Sequence, residues 1–356
     1  MEQKRRLRII AKKWETEDTA TFSLEPVDGL PLHYRPGQYL SLIFASFGRE
    51  KRRAYSFSTC PGVDPFPAIT VKRVVNGEFS NRLLSHYDAG DELLCTDPYG
   101  RFLLPENPAG ALFYIAAGGG ITPVMSHLKA LLVSPRQPGS ETARIVLYYA
   151  NRDSRSTIFK EQIDRWMSEY PERFECLYFF SREKNTDHAL YRHLNNELLE
   201  QLLLTRSGGR LSARERLNTR FFLCAPKAMM RMAEMTLRTL DFPAENIIRE
   251  TFEAEKNLPV RQADTSQTHT VVATGKGERI EFQTFEGETI LNAALRQGID
   301  LPYTCKSGVC FTCLARCLAG TVDVAFAETT QREGPGDMVN TCIGYAVSDR
   351  VEIFYE

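Results

Sequence analysis

The sequence lacks the features that would place it in a membrane, outside the cell or on nucleic acid. It has no apolar run long enough to span a bilayer, and its basic start, MEQKRRLRII, lacks the apolar core of a signal peptide. Its 44 Lys and Arg residues nearly cancel its 45 Asp and Glu residues, so no excess charge favours nucleic acid or an anionic membrane. We therefore expect a soluble, cytoplasmic protein with neither nucleic acid nor membrane among its partners.

Histidine is scarce: the 356 residues include six, and none follows His269. Cysteine is plentiful, with nine residues. Four of them, Cys305, Cys310, Cys313 and Cys342, are spaced C-x4-C-x2-C-x28-C, which is the ligand pattern of a plant-type 2Fe–2S cluster. A Rieske cluster needs two histidine ligands, so the lack of histidine beyond residue 269 excludes that alternative.

Two other interpretations of the four cysteines stay open. Structural zinc usually takes two close pairs of cysteines, whereas Cys342 stands alone, and a set of buried thiols needs no particular spacing. Gly308 favours the cluster, because peptide N–H groups must turn toward the sulfurs and glycine permits such backbone. Four further thiols are predicted to be buried in the fold. They are Cys60, Cys95, Cys176 and Cys317.

The chain divides into segments with different patterns of apolar residues. Residues 1–105 contain short alternating runs separated by turns, which predict an antiparallel β-barrel. Residues 106–253 alternate strand and helix patterns, which predict an α/β domain with a parallel sheet. The polar, aperiodic stretch 254–269 predicts a linker. Residues 270–356 start with a predicted hairpin and an amphipathic helix, so we expect a third, compact α+β domain there.

Five short motifs precede the cysteine loop. They are Arg53-Ala54-Tyr55-Ser56, Gly77-Glu78-Phe79-Ser80, the stretch from Ala116 to Pro123, Cys224-Ala225-Pro226 and Glu250-Thr251-Phe252. Each motif also has an explanation that involves no cofactor. In the same order, these explanations are an exposed strand, a helix cap, a tight turn, a buried thiol, and a core Phe beside a surface Glu. In this order, and with the four cysteines, they resemble the ferredoxin–NADP reductase superfamily with a fused plant-type ferredoxin domain. Within it, they are most similar to the reductase components of multicomponent oxygenases, such as the phenylacetyl-CoA epoxidase (monooxygenase) system.

The resemblance implies a multidomain architecture: a flavin-binding β-barrel, a nicotinamide-binding α/β domain and a β-grasp ferredoxin domain. It also implies an enzyme that passes electrons from NADPH through FAD to the cluster and on to a partner oxygenase. A reductase for a desaturase, a hybrid-cluster protein or a small-molecule acceptor would carry the same motifs. A non-enzymatic redox-sensing module is a further alternative.

The resemblance assigns the flavin to nine residues of the first segment and to one residue, Phe252, near the end of the second. Its Arg-x-Tyr-Ser motif supplies a cation for phosphate, an aromatic face and a small hydroxyl. The segment around Gly77 is similar to the FAD-binding form of the family rather than the FMN-binding form, so FAD is expected. The implied flavin contacts are Arg53, Ala54, Tyr55, Ser56, Val71, Lys72, Gly77, Phe79, Ser80 and Phe252.

The resemblance also assigns a nicotinamide site. The glycine turn allows close approach of a dinucleotide phosphate, although it lacks the full G-x-G-x-x-G pattern, and Ala225 replaces the glycine usual in the family's Cys-Gly-Pro motif. Ser181, Arg182 and Tyr191 resemble the residues with which NADP-specific members of the family bind a 2′-phosphate. A solvated strand end would show the same residues. The implied nicotinamide contacts are Gly118, Gly119, Thr122, Pro123, Arg152, Ser181, Arg182, Tyr191 and Pro226. The implied catalytic residues are Ser56, Thr122, Cys224 and Glu250.

Overall fold

A computed structural model describes residues 4–46, 49–106, 108, 110–134, 143–184, 189–206, 212–252, 261–275, 277–308, 311–325 and 330–355. The chain forms two compact units. The first comprises residues 1–4, 45–54 and 252–356, and the second comprises residues 5–44 and 55–251.

The N-terminal strands form a six-stranded sheet, as the alternating pattern predicts. Residues such as Leu7 and Ile9 are fully buried while their neighbours face solvent, because successive side chains of a strand point to opposite faces. The elements are β1 (Lys4–Thr16), β2 (Thr19–Pro26), β3 (Tyr39–Ser46), β4 (Arg49–Ser56), β5 (Ala68–Lys72), α1 (Glu78–His86) and β6 (Glu92–Thr96). The sheet order is β4-β3-β6-β1-β2-β5, and one helix, α1, follows β5.

The middle of the chain forms the predicted parallel sheet. Its strands are β7 (Ala111–Ala117), β8 (Arg144–Asn151), β9 (Phe174–Phe180), β10 (Ala189–Tyr191), β11 (Thr219–Cys224) and β12 (Ile247–Arg249). Its helices are α2 (Ile121–Leu132), α3 (Lys160–Glu169), α4 (Asn196–Arg206), α5 (Ala213–Leu217) and α6 (Lys227–Thr239). Leu112 and Tyr114 pack into one core and Phe113 and Ile115 into another, because both faces of the sheet are covered.

The strand order of this sheet, β10-β9-β8-β7-β11-β12, reverses direction at β7. The chain moves outward from β7 through β8 and β9 and then returns to place β11 on the other side of β7. In open α/β sheets, ligands bind at the carboxyl ends of the strands beside such a reversal. The glycine turn that follows β7 and Cys224 at the end of β11 both lie at this point.

The C-terminal region forms two sheets and one helix. Its first elements are β13 (Asp264–Gly275), β14 (Glu278–Glu286), α7 (Ile290–Arg296), β15 (Leu314–Ala319) and β16 (Val322–Ala325). The others are β17 (Thr330–Glu333), β18 (Met338–Asn340), β19 (Gly344–Ala346) and β20 (Arg350–Tyr355). The larger sheet is mixed and has the order β14-β13-β20-β15-β18, and the smaller has the order β17-β16-β19. Ile290 and Leu291 of α7 pack with Val271 and Ile353 of the sheet.

Strand β13 begins at Asp264, inside the segment that the sequence predicts to be a linker. Its first five residues are polar and exposed, so they show no apolar periodicity that would reveal a strand. They are nevertheless part of a backbone ladder, since Asp264 pairs with Glu286 and Thr268 with Phe285 across an irregular step. Residues 254–260 of the predicted linker lie outside the described residues.

Within the first unit, a buried arginine joins residues 45–54 to the segment before the cysteine loop. The side chain of Arg52 has no solvent exposure, and its Nη1 donates to the carbonyl of Tyr303 at 3.0 Å. Its guanidinium also lies 4.0 Å from the centre of the Tyr303 ring, and its Nε donates to Glu50 at 2.6 Å. A planar cation that stacks and donates several hydrogen bonds suits such a buried position.

The four thiols predicted to be buried are all buried, which confirms that prediction: Cys60, Cys95, Cys176 and Cys317. Across the described parts of the chain, no helix combines the length and the apolar character that crossing a bilayer requires. The cytoplasmic location stays a prediction.

Candidate redox sites

The turn after β7 approaches the end of β11 so closely that a side chain would not fit. A Cβ on Gly120 would lie 1.8 Å from the carbonyl oxygen of Cys224, and Gly118 has a φ of 50° in the left-handed region. Glycine is therefore required at position 120 by contact and favoured at position 118 by conformation. The sequence alone does not single out Gly120, because only the fold reveals its contact with Cys224.

Helix α2 starts directly after this turn. Thr122 is 2% exposed, and its Oγ1 donates to the carbonyl of Gly119 at 2.8 Å, which closes the turn. Pro123 lies in the first helical turn, where its missing N–H costs no internal hydrogen bond. The backbone N–H groups at the start of α2 thus follow a glycine turn at a strand end, which is the arrangement that binds dinucleotide phosphates.

Three of the predicted catalytic residues lie at strand ends of the second unit. Ser56 ends β4, Cys224 ends β11 and Glu250 follows β12. The Ser56 Oγ donates to Glu250 Oε2 at 3.4 Å, and the Glu250 N–H donates to the carbonyl of Leu223 at 3.0 Å. The backbone therefore fixes Glu250 beside β11 and within reach of the Ser56 hydroxyl.

Ser56 and Cys224 are buried and Glu250 is partly buried, and this burial governs the electrostatics of the group. Burial raises the pKa of the Glu250 carboxyl to about 8, against a smaller lowering by the hydrogen bond from Ser56. Burial, and then the charge of Glu250, raise the pKa of the Cys224 thiol. Both residues consequently favour their neutral forms at neutral pH, and Glu250 can hold a proton there.

The flavin motif occupies the end of β4. Arg53 is exposed, Tyr55 is partly buried and Ser56 is 3% exposed, while Ala54 between them is partly buried. The Arg53 Nη1 donates to the carbonyl of Arg52 at 2.6 Å. Arg53 therefore offers an accessible cation in the first unit, and Tyr55 and Ser56 offer a half-buried ring and a buried hydroxyl in the second.

Strand β5 lies beside the glycine turn. A Cβ on Gly119 would be 3.7 Å from the Cβ of Lys72, and the Lys72 ammonium pairs with Asp18 at 3.2 Å. Val71 is fully buried in the barrel core. Lys72 thus belongs to both the predicted flavin strand and the surroundings of the nicotinamide turn, whereas the Val71 side chain faces the barrel core.

The loop before α1 differs in part from its expected form. Gly77, rather than Ser80, is the N-cap of α1. No described side chain forms a capping hydrogen bond at the start of this helix. The Ser80 Oγ instead accepts from the Val74 N–H at 3.1 Å. Phe79 is 4% exposed and packs against Phe44 with ring centres 4.7 Å apart. Helix capping by Ser80 is therefore wrong, and Phe79 is a core residue in this structure.

The residues predicted to bind a 2′-phosphate lie at the carboxyl ends of three neighbouring strands. Arg152 follows β8, Ser181 and Arg182 follow β9, and Tyr191 ends β10. The Arg182 N–H donates to the carbonyl of Arg152 at 2.8 Å, and Tyr191 pairs with Phe180 in the ladder. The two arginines are exposed, as is Tyr191 at 56%, so the edge offers accessible cations and hydroxyls.

The two remaining predicted cofactor contacts are Pro226, for the nicotinamide, and Phe252, for the flavin. Pro226 is the N-cap of α6, and its carbonyl accepts the N–H groups of Met229 and Met230. Phe252, in the first unit, is 53% exposed. The explanation of Phe252 as a core residue is therefore wrong.

Three of the four predicted cluster ligands are described, and Cys310 lies outside the described residues. Cys313 and Cys342 are buried and Cys305 is partly buried. The Ser307 N–H donates to Cys305 Sγ at 3.3 Å. Hydrogen bonds with Cys305 and then Cys313, together with burial, raise the pKa of the Cys342 thiol. The described thiols therefore lie within reach of one another.

The loop has the backbone that inward-turned N–H groups require. Lys306, Gly308 and Phe311 have φ values of 56°, 74° and 57°, in the left-handed region that is costly for residues other than glycine. A Cβ on Gly308 would lie 2.4 Å from Ile343 Cδ1, and its N–H donates to Cys342 Sγ at 3.3 Å. These donors fit an iron–sulfur cluster. Among the described His, Cys, Asp and Glu residues, no group of three or more is arranged to hold a single metal ion.

The sequence matches three family models. These are the oxidoreductase FAD-binding domain over residues 6–103, the oxidoreductase NAD-binding domain over residues 114–235 and the 2Fe-2S iron-sulfur cluster binding domain over residues 273–347. The order of these domains agrees with the flavin barrel, the parallel sheet and the C-terminal mixed sheet. FAD, NAD(P)H and a 2Fe–2S cluster are therefore the cofactors of this chain, as predicted.

Two relatives span nearly the whole chain. One subunit of the 1,2-phenylacetyl-CoA epoxidase of Escherichia coli is 34% identical over 343 residues, covering 94% of this chain and 90% of the relative. The ferredoxin reductase component of 3-ketosteroid-9-alpha-monooxygenase from Mycolicibacterium smegmatis is 28% identical, covering 91% and 88%. The solved structure of phthalate dioxygenase reductase has the same fold, with a TM-score of 0.58, 22% identity and coverage of 98% and 97%.

These findings confirm the predicted fold class and establish an NAD(P)H-dependent flavin and iron–sulfur oxidoreductase. The chain belongs to the family of reductase components that transfer electrons from NAD(P)H through FAD and a 2Fe–2S centre to oxygenases.

Proposed function

We propose that this reductase component takes its electrons from NADPH and delivers them, one at a time, to an oxygenase of the phenylacetyl-CoA epoxidase type. The observation that carries this proposal is the 34% identity to a subunit of that epoxidase, which extends over 94% of the chain. The ketosteroid monooxygenase reductase, at 28% identity over 91% of the chain, supports an oxygenase with a steroid substrate as the second candidate.

The flavin site would be formed by the end of β4. Bound FAD would supply the conversion between a two-electron hydride donor and a one-electron cluster. The exposed guanidinium of Arg53 would pair with a phosphate, and the half-buried ring of Tyr55 would cover the flavin. The Ser56 hydroxyl would lie at the flavin's reactive edge, beside Glu250, to which it donates a hydrogen bond.

The hydride site would be formed at the reversal of the parallel sheet. The turn from Gly118 to Gly120 and the start of α2 would hold the dinucleotide phosphates. Thr122 and Cys224 would border the nicotinamide, since both lie at this turn. Glu250 would hold a proton beside Ser56 at neutral pH, because burial raises its pKa to about 8.

The choice of NADPH would depend on the edge formed by β8, β9 and β10. Arg152 and Arg182 would supply charge for a 2′-phosphate, while Ser181 and Tyr191 would supply hydroxyls. The segment is held in place by the backbone bond between the two arginines and by Glu183, whose carboxylate accepts the Ser154 N–H at 2.5 Å. A relative named NADPH oxidoreductase, from Mycobacterium tuberculosis, is 27% identical over 350 residues.

The exit for electrons would be a 2Fe–2S cluster held by Cys305, Cys310, Cys313 and Cys342. Plant-type clusters have reduction potentials of about −400 mV, which suits delivery to the metal centre of an oxygenase. The first and last of these cysteines accept N–H donors from the loop, and such donors stabilise the negative charge on cluster sulfurs.

A reconstitution tests the partner. The full-length reductase, loaded with its cofactors, is mixed with the remaining subunits of the E. coli phenylacetyl-CoA epoxidase, NADPH and phenylacetyl-CoA. We expect epoxide formation coupled to NADPH oxidation. A Cys342→Ser variant, which lacks one predicted ligand, serves as the control for electrons that bypass the cluster, and it should form no epoxide.

The same reductase is then paired with the oxygenase component of the ketosteroid monooxygenase. Product with the steroid system and none with the epoxidase subunits would contradict the first candidate and support the second. Oxidation of NADPH with ferricyanide, measured beside both assays, shows whether the flavin half of the enzyme is active, so a failure of partner recognition is distinguished from an inactive preparation.

A further inference from the structure

The cysteine loop contains a buried hydroxyl that has no acceptor among the described residues. Ser307 lies two residues after Cys305 and is 4% exposed. Its Oγ is shielded from solvent and has no hydrogen-bond partner in the part of the chain that the structure describes. Because leaving a hydroxyl buried and unpaired is unfavourable, this position indicates an acceptor that belongs to the loop's bound group.

The backbone around Ser307 is already directed at ligand sulfurs. Its own N–H donates to Cys305 Sγ at 3.3 Å, and the next N–H, of Gly308, donates to Cys342 Sγ at 3.3 Å. The Ser307 side chain therefore extends from a stretch of chain whose two consecutive peptide donors point at two different cluster ligands.

Other buried hydroxyls near the ligands do have protein acceptors. The Thr312 Oγ1 donates to Thr304 Oγ1 at 3.0 Å, and the Thr341 Oγ1 donates to the carbonyl of Cys313 at 3.0 Å. Ser307 differs from both, although it is also buried. The difference indicates that its acceptor is supplied by the cluster and not by the protein.

We propose that the Ser307 hydroxyl donates a hydrogen bond to an iron-bound sulfur of the 2Fe–2S cluster and thereby raises the cluster's reduction potential. This inference rests on the proposed ligand set. The cluster accepts one electron from the reduced flavin, gains one negative charge, and neither forms nor breaks a bond to Ser307. A donor at sulfur stabilises that added charge, so Ser307 makes the cluster a better electron acceptor.

The reduction potential of the full-length, cofactor-loaded protein tests this role. In a dye-mediated titration followed by electron paramagnetic resonance, Ser307→Ala should shift the one-electron equilibrium about tenfold toward the oxidised cluster, which corresponds to ~59 mV for a one-electron couple. The control, Thr312→Val, removes a buried hydroxyl from the same loop that already has a protein acceptor, and it should shift the equilibrium less than about twofold. An unchanged potential in Ser307→Ala would overturn the proposal.

Resonance Raman spectra in H2O and D2O give a second readout that is independent of turnover. Wild-type protein should show an exchange-dependent shift of iron–sulfur bands that Ser307→Ala loses, and the affected bands distinguish a bridging sulfide from a cysteine thiolate as the acceptor. Should Ser307→Ala not retain its cluster, Ser307→Gly removes the hydroxyl without adding volume. Wild-type bands that are insensitive to D2O would contradict the inference without any variant. A wild-type protein that binds no cluster would instead contradict the ligand set.

Discussion

The hydride site and the cluster loop of this reductase are built in opposite ways. Ser56, Cys224 and Glu250 lie at or directly after the ends of regular strands, and strand β11 pairs with a neighbour on each side. The segment from the end of α7 to the start of β15 contains no regular element among its described residues, and two non-glycine residues there, Lys306 and Phe311, have left-handed backbone.

This difference indicates which of the two sites depends on its bound cofactor for its structure. Backbone pairing fixes the hydride site whether or not a dinucleotide is bound, since strand ladders satisfy their own N–H and C=O groups. The loop instead directs its N–H groups at sulfur and leaves the Ser307 hydroxyl unpaired among the described residues. We therefore expect the cluster to contribute part of the free energy that holds the loop, as in other proteins whose metal binding is coupled to folding.

The largest effect is expected from a substitution that removes a cluster ligand and leaves the hydride site intact. Cys342→Ser should abolish the cluster's visible absorption and paramagnetic signal and lower electron delivery to an oxygenase by more than about 100-fold, because even the loss of an outer partner of a metal ligand costs about 10–100-fold. NADPH oxidation with ferricyanide, which accepts electrons directly from flavin, should stay within about twofold of wild type.

The matched control is Cys317→Ala. Cys317 is a fully buried thiol in β15 that is not among the predicted ligands, so this variant should keep the cluster. Loss of the cluster in Cys317→Ala together with its retention in Cys342→Ser would contradict the ligand assignment.

A smaller effect is expected at the hydride site, where Glu250→Gln removes a titrating group and keeps its shape. Wild-type flavin reduction by NADPH should slow as pH rises through about 8, since Glu250 loses its proton there. An ionised Glu250 opposes the negative charge that the flavin gains with the hydride, so the Gln variant, which is uncharged at every pH, should lose this inflection and keep its rate as pH rises above about 8. Stopped-flow absorbance across a pH series that brackets this value measures both effects.

Stability supplies an independent check of the same group. Because the folded pKa of Glu250 is raised above the ordinary value of 4.5, the folded state retains a proton that the unfolded state releases. Its contribution to the free energy of unfolding is fully present below that ordinary value and is lost as pH rises through about 8. Glu250→Gln should remove this dependence, and an identical pH dependence in both proteins would show that Glu250 titrates normally.

The smallest expected effect concerns nucleotide choice. Arg182→Ala should lower the preference for NADPH over NADH, as the ratio of kcat/KM values, by about fivefold, because an exposed ion pair contributes little. Lys184→Ala removes a nearby exposed cation and should change the ratio by less than about twofold. Equal changes in the two variants would indicate general attraction of the cofactor rather than a specific phosphate contact.

The sequence predicts the parallel sheet better than the sites within it. Strands such as β7 and β8 are buried on both faces and therefore appear as continuous apolar runs. The three-residue strands β10 and β12 carry too few residues for a periodic signal, and the polar start of β13 is recognisable only by its pairing with β14.

The same limit applies to individual site residues. The spacing of the cysteines is a local pattern that the sequence shows directly, whereas the importance of Gly120 depends on the carbonyl of Cys224, which is distant in the chain. Likewise, the family pattern predicts that Phe79 contacts the flavin, and this stays a prediction, whereas the packing of its ring in the barrel core is visible only in the fold. A sequence pattern shows how residues are spaced along the chain, but which residues they contact depends on the fold.

Anaerobic mixing of the fully loaded enzyme with one equivalent of NADPH tests the central claim most directly. Stopped-flow absorbance with rapid-freeze paramagnetic resonance follows flavin and cluster separately. The account predicts that flavin bleaches first, that the reduced-cluster signal appears at the rate at which flavin is partly reoxidised, and that Cys342→Ser shows only the first phase. A cluster that is reduced before the flavin, or not at all, would contradict it.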